Sequence, residues 1–182
     1  MTKFLEAIKI ILFGVFVAIV YGIAHDMVTA HVYVEYFTVH HMHVVDSESP
    51  VVMALVWGVI ATWWVGLFAS FLWCGAALAG PLPLLPFRQL AKIISLGALI
   101  LLGSAMAVLA VLYLAYPVLP IESFRFDRPM NRQLFSVGGT HLFSYFAAAV
   151  FAFGVAVIVI YRRIKMKTNL SPDMEEFMSE PK

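Results

Sequence analysis

Residues 51–80 run VVMALVWGVIATWWVGLFASFLWCGAALAG without one charged side chain. At 1.5 Å per residue such a helix would extend about 45 Å, more than the ~30 Å hydrocarbon core of a bilayer. The run closes at Gly80-Pro-Leu-Pro-Leu-Leu-Pro86, where three prolines end any helix. Two more uncharged runs follow, Ile93–Ile121 and Gln133–Tyr161, each again longer than a single crossing needs. The whole chain of 182 residues is 62% hydrophobic and 13% charged, where a soluble domain has about 45–50% and about 25%. A water-soluble enzyme, a disordered chain and a disulfide-stapled secreted domain are thereby excluded. A net charge of +1 leaves no footprint for nucleic acid. Cys74, alone in an apolar run, reads as a small packed side chain.

The first span is the least apolar. Residues 4–24 carry Glu6 and Lys9 in the first two turns and are then uncharged from Ile10 to Ala24. Lys9 can reach the headgroups, so Lys9 to His25 covers about 24 Å of helix. A basic start, an apolar stretch and Gly22-Ile23-Ala24 also resemble a signal peptide; the segment is read here as an uncleaved signal anchor. The expected fold is thus all-α and integral to the membrane: an antiparallel four-helix transmembrane bundle within residues 1–167. Its spans are near 4–24, 51–80, 89–116 and 135–162, and a polar tail of residues 168–182 follows. In that tail Ser171-Pro172 is suited to cap a short helix. Lys3, Lys9, Arg88, Lys92, Arg162, Arg163, Lys165, Lys167 and Lys182 fall on one side of these spans, and Arg125, Arg128 and Arg132 on the other. The first side is therefore expected to be cytoplasmic, with both termini and the tail on it, and loops 25–49 and 117–132 facing out. Ala148, Ala152 and Ala156, with Gly103/Ala107 and Gly66/Ser70, offer points of close helix approach.

That orientation collects the histidines. His25, His31, His40, His41 and His43 fall in or beside the first outer loop, and His141 near the outer start of the last span. Asp26, Glu35, Asp46 and Glu48 share the first loop. First and last helices of a bundle are commonly neighbours, so His25 and His141 are expected at matched depth. With Asp26, Glu35 and His31 they form a candidate ligand set for zinc, iron or copper. A shared ion requires the two imidazoles within about 8 Å of one another with a carboxylate between, since ligand bonds are near 2 Å. Asp26 is alternatively an acceptor that orients His25. Glu35 is a candidate ligand or general base; Tyr36 and Tyr145 are candidates to bond a ligand or to donate a proton. A b-type haem between His25 and His141 is a variant. Residues 31–43 alternate as a strand would, yet His31 and Glu35 also pair at helical spacing. His40-His41-Met42-His43 is a further soft-to-borderline donor tract. Phe124-Arg-Phe-Asp-Arg128 suggests a stretch folding over the mouth of the bundle and pairing with first-loop acids. Ser136 and Ser144 lie near His141, but no oxyanion-hole motif accompanies them beyond Gly138-Gly139, so no serine hydrolase is read from them.

His25-Asp26-Met27-Val28-Thr29, then Glu35-Tyr36-Phe37-Thr38, resembles the pattern His-Asp-x-x-Thr … Glu-Tyr-Phe-Thr of a family of small uncharacterised bacterial four-span membrane proteins. His141-Leu-Phe-Ser144-Tyr145 is similar to that family's His-Leu-x-Ser-Tyr element. Met27 stands where Gln is usual, and the His40–His43 tract lies outside the pattern. The resemblance implies a multi-pass protein of the bacterial inner, cytoplasmic membrane and brings no reaction with it. Two functions follow from the residues: a membrane metalloprotein, an enzyme or redox protein among its forms, with its site on the extracytoplasmic face; or a non-catalytic accessory or assembly subunit of a larger membrane complex. The partners expected are the lipid bilayer and either membrane subunits or further copies of the chain. A transporter is disfavoured, because no span carries an ionisable residue at its middle.

Overall fold

A computed structural model describes residues 3–120 and 130–179, with side chains described as far as residue 169. The described residues are helical throughout their regular parts, with no strand among them. The helices are α1 (Lys3–Val32), the one-turn α2 (Glu35–Thr38), α3 (Pro50–Ile60), α4 (Trp63–Leu78), α5 (Phe87–Ala115) and α6 (Arg132–Ser179). Among the described residues four helical stretches are long and apolar enough to cross a membrane: Lys3–Val32, Pro50–Leu78, Phe87–Val118 and Arg132–Asn169. Their outward residues are apolar, as lipid rather than water demands: Leu12, Phe16, Phe68, Leu99, Leu114, Phe146, Phe153 and Val157 are all exposed.

α1 continues past Ala24 through His25 and Asp26 to Val32. No glycine or proline stands between Ile23 and Pro50 to stop it, and Thr29 Oγ1 donates back to His25 O along the same helix. The strand reading of residues 31–43 gives way to the end of α1, the single turn of α2 and irregular chain. The second span is broken at Ala61-Thr62, between α3 and α4. There Thr62 Oγ1 donates to Gly58 O, the back-bonding that bends helices. α6 carries on to Ser179 without a separate tail helix at Ser171-Pro172.

α1 packs mainly on α3 and α4, and α5 on α6, with α4 against α6 closing the bundle. The α1–α3 crossing is backbone on backbone: a Cβ on Gly58 would meet Ile23 Cα at 2.6 Å and the Gly22 carbonyl carbon at 2.8 Å. Gly66 is a similar approach point, where a Cβ would meet Ala18 and the Gly14 carbonyl. Gly103 is not one, for open space surrounds it; on α5 it is Gly97 that lies against a neighbour, the ring of Phe151. The small stripe of α6 lets α4 approach, with Ala156 buried and Trp73 Nε1 donating to Ala152 O at 2.9 Å. The stretch Phe124–Arg128 lies outside the described residues. Arg132 is described, and rather than pairing with first-loop acids it donates to Tyr113 O and lies over the Tyr113 ring.

Candidate metal centre

Among the described residues eight polar or charged ones are buried: His25, Asp26, Thr29, Ser70, Ser136, Thr140, Ser144 and Arg163. Thr29, Ser70, Ser136 and Thr140 donate to the carbonyl four residues earlier in their own helix, the ordinary way to hide a hydroxyl in a span. Arg163 is held by three carbonyls, as described below. His25, Asp26 and Ser144 are left, and they meet.

Asp26 Oδ1 is the hub. His25 Nδ1 lies 2.9 Å from it and His141 Nε2 3.2 Å. The two imidazoles are 4.6 Å apart between centroids and perpendicular. One donor atom from each of His25, Asp26 and His141 lies within 4.8 Å of the others. The far nitrogen of each ring is also engaged. His141 Nδ1 lies 2.9 Å from Val137 O, and a carbonyl only accepts, so Nδ1 carries the proton. His25 Nε2 lies 3.1 Å from Ser144 Oγ, and Tyr21 donates its hydroxyl to the same oxygen at 3.1 Å. Tyr21 stacks beside His25.

α2 folds over this group. Phe37 is buried, and the rings of Tyr36 and Phe37 lie 4.5 and 5.6 Å from His141. Desolvation of the Tyr36 phenol, with Tyr145 and Asp26 nearby, pushes its pKa up to about 12, so it is a neutral donor at any physiological pH. His41 packs on Tyr36 and Trp57, its Nδ1 2.7 Å from Tyr36 O. Beneath the group lies a cavity of about 330 Å³ that reaches Gly14 on α1, Trp73 on α4, Ile94 on α5 and Phe151 on α6. Tyr145 lines it, stacked on Trp64.

His25, Asp26 and His141 are therefore brought together as the sequence suggests, well inside the 8 Å limit and with the carboxylate between. Glu35 and His31 are not brought into the group. Both are exposed; His31 Nδ1 is paired with Met27 O, and among the described residues no ion pair joins it to Glu35. The His40–His43 tract is divided, with His41 turned into the packing and His40 and His43 exposed. The arrangement also differs from an axial haem pair, whose imidazoles face each other across a porphyrin with no third group between; here Asp26 Oδ1 touches both rings. Sequence reasoning missed Ser144 and Tyr21. It weighed Ser144 against His141, three residues away, whereas the hydroxyl turns to His25 on another helix. No family model, curated protein or solved structure matches the chain.

Proposed function

We propose that this is a membrane metalloprotein that binds one divalent first-row ion, zinc or iron(II), through His25, Asp26 and His141 at the extracytoplasmic face. The observation that carries the reading is the arrangement of all four imidazole nitrogens. One nitrogen of each ring is turned to the same carboxylate oxygen, and the other is held by a hydrogen-bonding partner, Ser144 Oγ or Val137 O. Ligating histidines are held in this way, since the outer contact selects the tautomer and aims the lone pair. Separations of 2.9 and 3.2 Å match neighbouring vertices of a coordination shell with bonds near 2 Å. Two imidazoles and one carboxylate leave further positions for water or substrate, the pattern of catalytic zinc and of non-haem iron sites. Bound there, the ion would supply Lewis acidity to an oxygen ligand. Tyr36 and Tyr145 would then donate hydrogen bonds to that ligand. The resemblance noted in the sequence falls on these same elements, His25-Asp26 and His141-Leu-Phe-Ser144-Tyr145. The excess of Lys and Arg in the opposite loops and at the termini supports an antiparallel bundle with this site on the outer side.

A second reading has one observation in its favour. Ser144 Oγ, His25 and Asp26 follow one another in the order of a nucleophile, base and orienting acid. It is weaker, because Ser144 lies inside α6, where backbone N–H groups are already bonded and cannot form an oxyanion hole. Metal analysis of the full chain purified in lipid nanodiscs, beside a His25→Ala/His141→Ala variant, separates the two. About one ion per chain in the parent and almost none in the variant is the expected result. Equal content in both would overturn the metal reading. Labelling of a cysteine placed at position 43, blocked by an impermeant thiol reagent in intact cells, tests the orientation.

A further inference from the structure

The cavity has a shape and polarity that the ion alone does not require. Its polar end is the His25–His141 group, and from the level of His25 to Gly14 it follows eleven residues of α1, roughly 16 Å. Below that end it is lined by aliphatic and aromatic side chains, among them Val17, Val65, Ala98, Leu101 and Ala148. Its volume of about 330 Å³ falls at the lower end of ligand sites, which run ~300–1,000 Å³. Two phenols, Tyr36 and Tyr145, line the polar end, and neither hydroxyl has a hydrogen-bond partner among the described residues. Tyr36 is half-buried, packed among the rings of Phe37, His41 and His141, and lines the cavity, so its hydroxyl is a donor that a bound ligand can use.

We propose that the cavity binds one single-chain acyl lipid, with its carboxyl or carbonyl oxygen accepting from Tyr36 and Tyr145 and its chain running down toward Gly14 and Ile94. A narrow apolar slot about 16 Å long suits an extended chain that advances roughly 1.2 Å per bond, or about a dozen carbons. Two neutral donors select an oxygen acceptor rather than an ammonium. The slot lies within the spans, so the ligand enters from the bilayer, where such amphiphiles concentrate. A two-chain phospholipid does not fit one slot of this volume.

The indoles provide the readout, because Trp57, Trp64 and Trp73 line the cavity and Trp63 does not. The full chain carrying Trp63→Phe, stripped with chelator and held in nanodiscs, is titrated with a terminally brominated fatty acid of about twelve carbons. Saturable quenching of the remaining indole emission is expected. Tyr36→Phe/Tyr145→Phe should raise the midpoint about tenfold, the loss of two neutral hydrogen bonds. Ala148→Phe, and separately Ala98→Phe, should abolish the saturable component by filling the slot from two different helices, α6 and α5. Quenching that rises linearly, as with a brominated phosphatidylcholine, or saturable quenching unmoved by all three variants would overturn the proposal. Because no ion is present in the titration, its result is independent of whether His25 and His141 bind metal.

Discussion

Among the described residues the bundle buries two charged groups, Asp26 and Arg163, and treats them in opposite ways. His141, which contacts Asp26, and Arg163 lie about 33 Å apart along α6 at 1.5 Å per residue. At Arg163 each of the three guanidinium nitrogens donates to a main-chain carbonyl. Nη1 donates to Ala76 O at 2.6 Å, Nη2 to Leu82 O at 2.8 Å and Nε to Pro83 O at 2.9 Å. These carbonyls belong to the last turns of α4 and the proline loop after it, which have no helical N–H to meet them. The side chain is 1% exposed and no cavity adjoins it among the lining residues described above. At Asp26, by contrast, the carboxylate is shared by two imidazoles from different helices and opens onto a cavity with two unused phenols. A buried charge surrounded by main-chain acceptors fixes a turn. A buried charge held by titratable side chains beside empty space is arranged for something that comes and goes.

If that distinction holds, the largest effect on stability belongs to the Arg163 end. Arg163→Ala leaves one buried and two half-buried carbonyls without their donor, at up to ~1–3 kcal/mol each, and a loss of about 3–5 kcal/mol is expected after local relaxation. Denaturant titration of the protein in mixed micelles measures it. Arg163→Lys should recover only part, since an ammonium lacks the planar fork that reaches three acceptors. Metal content of the folded fraction should stay at the parent level. A variant that unfolds no more readily than the parent would remove the structural half of the comparison.

The next effect reverses the pattern. His25→Ala/His141→Ala should weaken ion binding at least about a hundredfold, or roughly 2.7 kcal/mol, and with Asp26→Asn added the unfolding midpoint of the metal-free protein should move less than in Arg163→Ala. Removing both imidazoles does strand the Asp26 carboxylate, so the triple variant with Asp26→Asn is the cleaner stability control. Isothermal titration with zinc, and unfolding curves with and without it, supply the two numbers. The parent should be stabilised by added ion in proportion to its concentration over the dissociation constant. The triple variant should not.

Between these in kind lies the α1–α3 crossing, which holds the cavity closed without touching its chemistry. A Cβ on Gly58 has nowhere to go except into the backbone of Gly22 and Ile23. Gly58→Ala should therefore cost about 1–3 kcal/mol by forced separation of the helices. It should also loosen acyl binding, because α1 and α3 each form part of the cavity wall. Gly103→Ala, with open space around it, is the matched control and should be neutral or slightly stabilising through helix propensity.

How much of this was readable beforehand depends on which coordinate of a helix is asked for. Position along the axis is carried by the one-dimensional pattern. Uncharged runs bounded by prolines or by charged residues mark the four spans, and depth alone brings His25 level with His141. Azimuth is not carried this way when a helix is apolar all round, since the usual polar-to-apolar contrast is absent. Ser144 was thus weighed only against His141 and set aside, although it pairs with His25, and Arg163 looked like one more base beside Arg162, Lys165 and Lys167. The same gap explains Gly103, which has the spacing of a contact residue and faces open space. The end of α1 was legible in a different sense: the absence of any breaker between Ile23 and Pro50 allows the helix to continue, but the hydropathy drop at His25 had pointed to its end.

The smallest effect makes the finest cut. Ser144 is buried with the ligand group yet contributes no ligand atom; it accepts from Tyr21 and pairs with His25 Nε2. If it serves the ion by fixing the His25 tautomer, Ser144→Ala should lower affinity about tenfold, as loss of an outer contact does. Ser144→Thr, which keeps the hydroxyl, should restore most of that. If it were a nucleophile, Ser144→Ala would leave ion binding unchanged and an acyl-transfer probe would label the parent at Ser144 alone. The tyrosine distinguishes the cases further. Tyr21→Phe removes a donor to Ser144 Oγ and leaves that oxygen freer to accept from His25 Nε2. The ligating tautomer, with its lone pair on Nδ1, is then retained, and ion affinity should hold within about twofold, a few tenths of a kcal/mol. A large loss in Tyr21→Phe would mean that the hydroxyl chain acts as one cooperative unit, and that the polar group extends a full turn deeper into the bundle than the three ligand atoms.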